Sequence, residues 1–153
     1  MQIDDVIAIV NEHISQLKEL SSPTNYPIID QTIEFVNDIL TRDDNYNYGT
    51  KEFCEVCGKK LSKRSHEVHH VAGKKHSNIC IDVCISCHRT ITSRQSTWDG
   101  RWLLNNQPDN IREMFLLQGV REILILRGQK LHSDTIIEIA DTMDYQVHSL
   151  RAL

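Results

Sequence analysis

Two Cys-x-x-Cys pairs, Cys54/Cys57 and Cys84/Cys87, stand on either side of a 26-residue spacer in the middle of the chain. Each pair brings two sulfurs close enough to share one metal, and together they supply the four thiolates of a closed tetrahedral zinc site. A closed site leaves no position for water or substrate, so we expect a structural zinc. The alternatives are a redox motif or free buried cysteines, but one redox motif does not explain two pairs, and neither pair lies in a βαβ pattern.

Cys80 is the fifth cysteine of the chain. It could replace Cys84 as a zinc ligand, but the spacing between Cys80 and Cys84 fits a zinc knuckle less well. We therefore predict that Cys80 is a small core residue on a strand.

Two adjacent histidines, His69 and His70, lie between the cysteine pairs on a predicted short strand, residues 67–71. Neighbouring side chains of a strand point to opposite faces of the sheet. Both histidines can face one site only if the strand ends or twists there, and Gly73 permits such a turn. Without other signals, such a pair would be one core histidine and one surface histidine.

A second strand and a helix are predicted after this turn. Residues 78–83 are rich in β-branched side chains, which favours a strand. Residues 84–94 fit a helix, on which Cys84 and Cys87 are three positions apart and can reach one zinc. His88 lies about 100° further round the helix, a position that suits a different metal.

In this order, the motifs resemble those of the HNH endonuclease family. The resemblance is carried by E-V-H-H, S-N-I and C-I-S-C-H-R within the cysteine frame, and it covers about 40 of the 153 residues. It implies an α+β, mostly helical fold. A small ββα-metal (His-Me finger) core stapled by a structural zinc would be flanked by N- and C-terminal helices.

The resemblance also implies roles for four residues. His70 would be the general base that takes a proton from the attacking water, and an imidazole with an ordinary pKa near 6.5 suits that role. His69 and His88 would bind a catalytic cation, Mg²⁺ or Mn²⁺, and Asn78 would orient His70 by a hydrogen bond. The implied products carry a 5′-phosphate and a 3′-hydroxyl.

One position departs from the family pattern. Many members have aspartate where this chain has His69. Replacing an oxygen ligand by imidazole shifts metal preference from Mg²⁺ toward Mn²⁺, Ni²⁺ or Zn²⁺. If the register is shifted by one residue, the roles of His69 and His70 exchange. The other histidines of this stretch, His66 and His76, are expected to be solvent-exposed bystanders.

The net charge of −4 is unevenly distributed. Residues 51–101 contain ten Lys/Arg and five Asp/Glu, whereas the rest of the chain contains seven basic and sixteen acidic residues. Basic charge at the predicted metal core favours phosphate contact over a merely solvated surface. The predicted DNA-binding residues are Lys74, Lys75, Arg89 and Arg94. We expect double-stranded rather than single-stranded DNA, with RNA as an alternative.

Three segments are predicted to form one compact unit: N-terminal helices (1–50), the HNH core (51–97) and C-terminal helices (98–153). The helical segments are also the candidate surface for a homodimer. Apolar spacing predicts helices over 3–20 and from Pro27 or Ile28 to Leu40. A C-terminal helix should begin near Pro108 and bend or end at Gly119. A last helix should begin near Ser133 with a Thr135/Glu138 capping box, followed by frayed residues.

Composition excludes some functional classes. No run of about 20 apolar residues exists, and the first residues do not resemble a signal peptide. Cysteines used as zinc ligands fit a reducing, cytoplasmic environment. The lack of a long apolar run predicts no membrane partner. The predicted function is a DNA endonuclease or nickase. The competing prediction is a non-catalytic zinc module that binds nucleic acid or a protein.

Overall fold

The computed structural model describes residues 3–152, which are mostly helical with one small antiparallel sheet. Two short 3-10 turns lie at Pro23–Asn25 and Gly100–Leu103. In chain order the elements are α1 (Ile3–Leu20), α2 (Tyr26–Leu40), β1 (His66–His70), β2 (Cys80–Cys84), α3 (Ile85–Gln95), α4 (Asp109–Lys130), α5 (Asp134–Thr142) and α6 (Asp144–Arg151).

The N-terminal helices form where apolar spacing predicts them. Val6, Val10 and Ile14 recur at helical intervals and are buried on one face of α1. Pro23 follows the end of α1, and α2 begins at Tyr26, one residue before the predicted proline start. The two helices pack against each other and against α5.

The sheet consists of β1 and β2, paired antiparallel from His66↔Cys84 to His70↔Cys80. Both strands are shifted by one or two residues from their predicted positions. β2 is entirely buried, and α3 follows it directly and packs on both strands. The predicted order of strand, loop, strand and helix is therefore confirmed.

The long helix α4 runs through Gly119 without a break, so the predicted end of the helix at this glycine is wrong. This glycine lies where α4 contacts the end of β1, and an added Cβ would overlap the backbone carbonyl of Val71. The glycine is therefore required for close packing rather than for a break in the helix.

Replacing Gly119 by alanine is expected to destabilise the protein by about 1–3 kcal/mol, because the overlap is with backbone that cannot move aside easily. Gly100 is the matched control, since an added Cβ there meets no atom within 4 Å. Urea unfolding monitored by circular dichroism would compare the two variants. Equal stability of Gly119→Ala and Gly100→Ala would contradict the close contact between α4 and Val71.

The C-terminal end contains more helix than the sequence predicted. Ser133 caps α5, and its Oγ accepts a hydrogen bond from Ile136 N at 3.3 Å, so the predicted Thr135/Glu138 capping box is wrong. A further helix, α6, replaces the expected frayed end. Its Val147 and Leu150 are buried, and α6 packs on α4.

A buried arginine connects the N-terminal helices to the sheet. Arg42 is only 6% exposed. Its guanidinium donates to both carboxylate oxygens of Glu55, and its Nη1 also donates to the Cys80 carbonyl at 2.7 Å. Burial alone would lower the pKa of Arg42, but hydrogen bonds to Glu55 and Asp38 outweigh it and raise that pKa.

Candidate metal centre and histidine site

The four cysteines of the two Cys-x-x-Cys pairs come together in space. Their sulfur atoms all lie within 4.8 Å of one another, and the sulfurs of Cys57 and Cys84 are 3.8 Å apart. Three of the four residues are buried, and Cys57 is half-buried. This arrangement is compatible with one structural zinc ion bound by four thiolates.

The first pair lies in a tight turn after the N-terminal helices. Cys54 N donates to the Lys59 carbonyl at 2.8 Å, and Gly58 N donates to the Cys54 carbonyl at 2.9 Å. Cys57 N points toward the Cys54 sulfur at 3.5 Å. Backbone amides directed at sulfur stabilise thiolates, which are the form that binds metal.

The second pair lies at the junction of β2 and α3. Cys84 is the last residue of β2 and the N-cap of α3, and Cys87 lies in the first turn of that helix. Burial raises the pKa of the Cys84 thiol, but the amide of Cys87 and neighbouring thiols outweigh burial and lower it. Cys80 is buried on β2 outside the cluster, as predicted.

His69 and His88 face each other between β1 and α3. Their ring centroids are 5.4 Å apart and the rings are nearly perpendicular. His69 is 2% exposed, and its Nε2 has no hydrogen-bond partner among residues 3–152. Glu67 lies on the same side of β1, with Oε2 3.7 Å from His88 Nδ1. The two predicted cation ligands are therefore neighbours, and a carboxylate that was not predicted lies beside them.

Burial keeps His69 neutral. Burial first, and then the nearby imidazoles of His88 and His70, together lower the pKa of His69 to about 3. A neutral imidazole with a free ring nitrogen is the form that binds metal ions. Within the described chain, however, these groups are not as close together as the four cysteines.

His70 is the last residue of β1 and is half-buried. Regular strand geometry directs it away from the face that carries His69, and the turn that contains Gly73 comes only after it. Burial lowers the pKa of His70, and the positive charge of Lys74 lowers it further. His70 is therefore neutral near pH 7, as a general base must be.

Asn78 does not orient His70 as expected. Its side chain is exposed, and its Nδ2 donates to Asp44 Oδ1 at 3.5 Å; no hydrogen bond joins it to His70 in the described residues. Gln95 has this bracing position instead. Its Nε2 donates to the carbonyls of His70 and Val71 at 3.1 and 3.2 Å. Gln95 lies four and eight positions after Ile91 and Cys87, and this helical spacing on the inner face of α3 was the signal in the sequence.

The two histidines predicted to be bystanders are not free in solvent. His66 Nε2 lies 2.6 Å from Asp82 Oδ1, and Asp82 is fully buried on β2. His76 is 5% exposed and packs against the Phe115 ring in a tilted arrangement, with 4.8 Å between the centroids. The sequence prediction was wrong for both because their partners lie on distant segments.

The predicted DNA-contacting residues form two groups. Lys74 and Lys75 are exposed on the turn after β1. Arg89 is exposed on α3 and lines a cleft of about 670 Å³ together with Lys59 and Lys130. Arg94 is half-buried, further along α3.

Comparisons of the chain with protein-family models, curated proteins and solved structures give no significant match. Among residues 3–152, no helix is long and apolar enough to cross a membrane. Function is therefore inferred from the four-cysteine cluster and from the histidines beside it.

Proposed function

We propose that this protein is a metal-dependent DNA endonuclease or nickase of the HNH type. The observation that carries the proposal is the buried His69, whose Nε2 has no partner among the described residues, facing His88 of α3 next to the four-cysteine cluster. A buried polar atom without a partner destabilises a fold unless a ligand satisfies it.

The residues around His69 fit a divalent cation. Two imidazoles and the Glu67 carboxylate are donors that suit Mn²⁺, Ni²⁺ or Zn²⁺ as well as Mg²⁺. His69, His88 and Glu67 would hold the ion, which when bound supplies Lewis-acid stabilisation of the charge that develops on phosphate oxygens. The carboxylate of Glu67 adds an oxygen ligand where the imidazole of His69 replaces one.

His70 takes the proton of the attacking water in this proposal, which requires its ring, at the last position of β1, to turn toward the face that carries His69. It is half-buried, neutral near pH 7 and held at its backbone by Gln95, which fixes the end of β1. Lys74, Lys75 and Arg89 bind the backbone phosphates. Hydrolysis then leaves a 5′-phosphate and a 3′-hydroxyl, as the family resemblance implies.

Conversion of supercoiled plasmid to open-circle or linear DNA tests the function. We expect conversion with Mg²⁺ or Mn²⁺ and none with chelator. We expect at least about 100-fold slower conversion by His70→Ala, because a positioned general base contributes about 10²–10⁴-fold. His148→Ala is the matched control, since His148 is exposed on α6. Zinc content, measured on each variant, shows that the cysteine cluster is intact.

The outcomes separate the candidate functions. Equal cleavage by His70→Ala would exclude His70 as the base and would favour the shifted register, with His69 as the base. Linear product at the earliest times would favour a homodimer formed through the helical segments, with one active site for each strand.

The alternative is a zinc module without catalysis. It is favoured by one observation: within residues 3–152, only the four cysteines form a cluster tight enough for a metal with three or more ligands. DNA binding without cleavage in any of the metals would support this alternative.

A further inference from the structure

A cavity of about 250 Å³ opens beside the turn that follows β1. Its walls combine an indole ring and an aliphatic side chain with two lysines. The lining residues are Gly73, Lys74, Lys75, His76, Trp102 and Leu103. Apolar walls with a few polar groups at the edge are typical of ligand sites rather than of packing defects.

The cavity lies next to the proposed general base. Gly73 N donates to the His70 carbonyl at 3.1 Å, and the positive charge of Lys74 is close enough to act on the His70 imidazole. Lys75 Nζ donates to the Leu103 carbonyl at 2.7 Å, which joins this turn to the opposite wall. A ligand in the cavity would therefore be adjacent to a phosphate at His70.

The aromatic wall is held rigidly. Trp102 Nε1 donates to the Ala72 carbonyl at 3.0 Å, and the indole approaches Gly73 so closely that a Cβ there would overlap it. Trp102 also packs edge-on against Trp98, which stacks parallel to Phe115. A rigid wall of this kind loses little conformational freedom when a ligand binds.

His76 also lines the cavity, and its ring is fixed by a hydrogen bond to the Trp102 backbone. Its Nε2 lies 2.7 Å from the Trp102 carbonyl, which can only accept, so Nε2 carries the proton. Nδ1 is then an acceptor, and it has no partner in the part of the chain that the structure describes. Because this nitrogen is itself buried from solvent, His76 contributes to the shape of the wall and not to hydrogen bonding with a ligand.

We propose that this cavity receives an unstacked base of the nucleic acid whose phosphate is cleaved at His70. The indole of Trp102 and the side chain of Leu103 would contact the base, and Lys74 and Lys75 the flanking phosphates. Bases stack on aromatic side chains whatever their sequence, and an unpaired base costs least to extract from a helix. The substrate class is therefore DNA with an unpaired base next to the cleaved bond. This inference rests on the proposed nuclease function for the position of the phosphate.

Binding of two duplexes, identical except for a single bulged 2-aminopurine in one of them, tests the proposal. Both are titrated with the full-length His70→Ala variant without divalent cations, so that no cleavage occurs. We expect the bulged duplex to bind about ten-fold more tightly than the paired one. We also expect its fluorescence to be quenched on binding, because the base stacks on Trp102.

Leu103→Ala and Leu104→Ala, each added to His70→Ala, form a matched pair. Both leucines are exposed, 64% and 55% respectively, but only Leu103 lines the cavity. We expect Leu103→Ala to reduce the preference for the bulge at least about three-fold and Leu104→Ala to leave it unchanged. Trp102→Phe should retain binding with weaker quenching, because phenyl is a smaller stacking surface than indole.

No preference for the bulge, or equal losses in the two leucine variants, would overturn the cavity as a base site. Plasmid cleavage by the wild-type protein would leave the nuclease proposal intact in that case. A preference that depends on Leu103, with no cleavage under any metal, would support the cavity and refute the nuclease. If neither duplex binds, a nucleic-acid base is not the ligand.

Discussion

Replacing Cys57 or Cys87 by serine is expected to abolish zinc binding and to unfold the centre of the chain. The four sulfurs join the turn at 54–57 to the start of α3, and both segments depend on this cluster for their relative position. Structural zinc sites in small domains contribute about 10–16 kcal/mol of apparent binding free energy, which is comparable to the usual stability of a whole domain, about 5–15 kcal/mol. Metal analysis and thermal unfolding would measure both losses.

Cys80→Ala is the matched control for the zinc ligands. Cys80 is buried but lies outside the cluster, and its sulfur donates a hydrogen bond to the Asn78 carbonyl at 3.4 Å. We expect one zinc per chain and a loss of about 1 kcal/mol, as for an ordinary small core substitution. A Cys57→Ser protein with full stability, or a Cys80→Ala protein without zinc, would refute the assignment of the ligands.

Short-range patterns in the sequence were enough to predict most of the fold. The apolar spacing of Val6, Val10 and Ile14 was sufficient for α1, because one face of a surface helix must be apolar to be buried. The two Cys-x-x-Cys turns were enough to predict the four-cysteine cluster, because each turn places two sulfurs close together. Gly119 misled the prediction, because a glycine that permits close packing has the same sequence signal as one that breaks a helix.

Polar pairs between distant segments could not be predicted. His66 contacts Asp82 on the neighbouring strand, and Asn78 donates a hydrogen bond to Asp44, 34 positions earlier in the chain. The periodicity of apolar residues does not indicate such partners, because each contact depends on how the loops fold back onto the core. Gln95 is an intermediate case: its place on the buried face of α3 was visible in the sequence, whereas its two carbonyl acceptors were not.

Arg42→Met is expected to destabilise the protein by about 3–5 kcal/mol, which is the usual cost of removing one partner from a buried ion pair. The change leaves the Glu55 carboxylate buried, with the amide of Asp82 as its remaining donor at 2.7 Å. It also removes the donor to the Cys80 carbonyl. Urea unfolding of the zinc-loaded protein would measure the loss. Lys18→Met is the matched control, because the Lys18–Asp30 pair is solvent-accessible and such pairs contribute about 0–1 kcal/mol.

A second substitution separates charge from packing at this position. In Arg42→Met/Glu55→Gln, the neutral amide can still accept from Asp82 N, but no uncompensated charge remains buried. We therefore expect the double variant to be more stable than Arg42→Met alone. Because Glu55 lies between Cys54 and Cys57, Arg42→Met should also release zinc at lower chelator concentration than Lys18→Met does. If Arg42→Met and Lys18→Met lose stability and zinc alike, Arg42 does not couple the N-terminal helices to the metal centre.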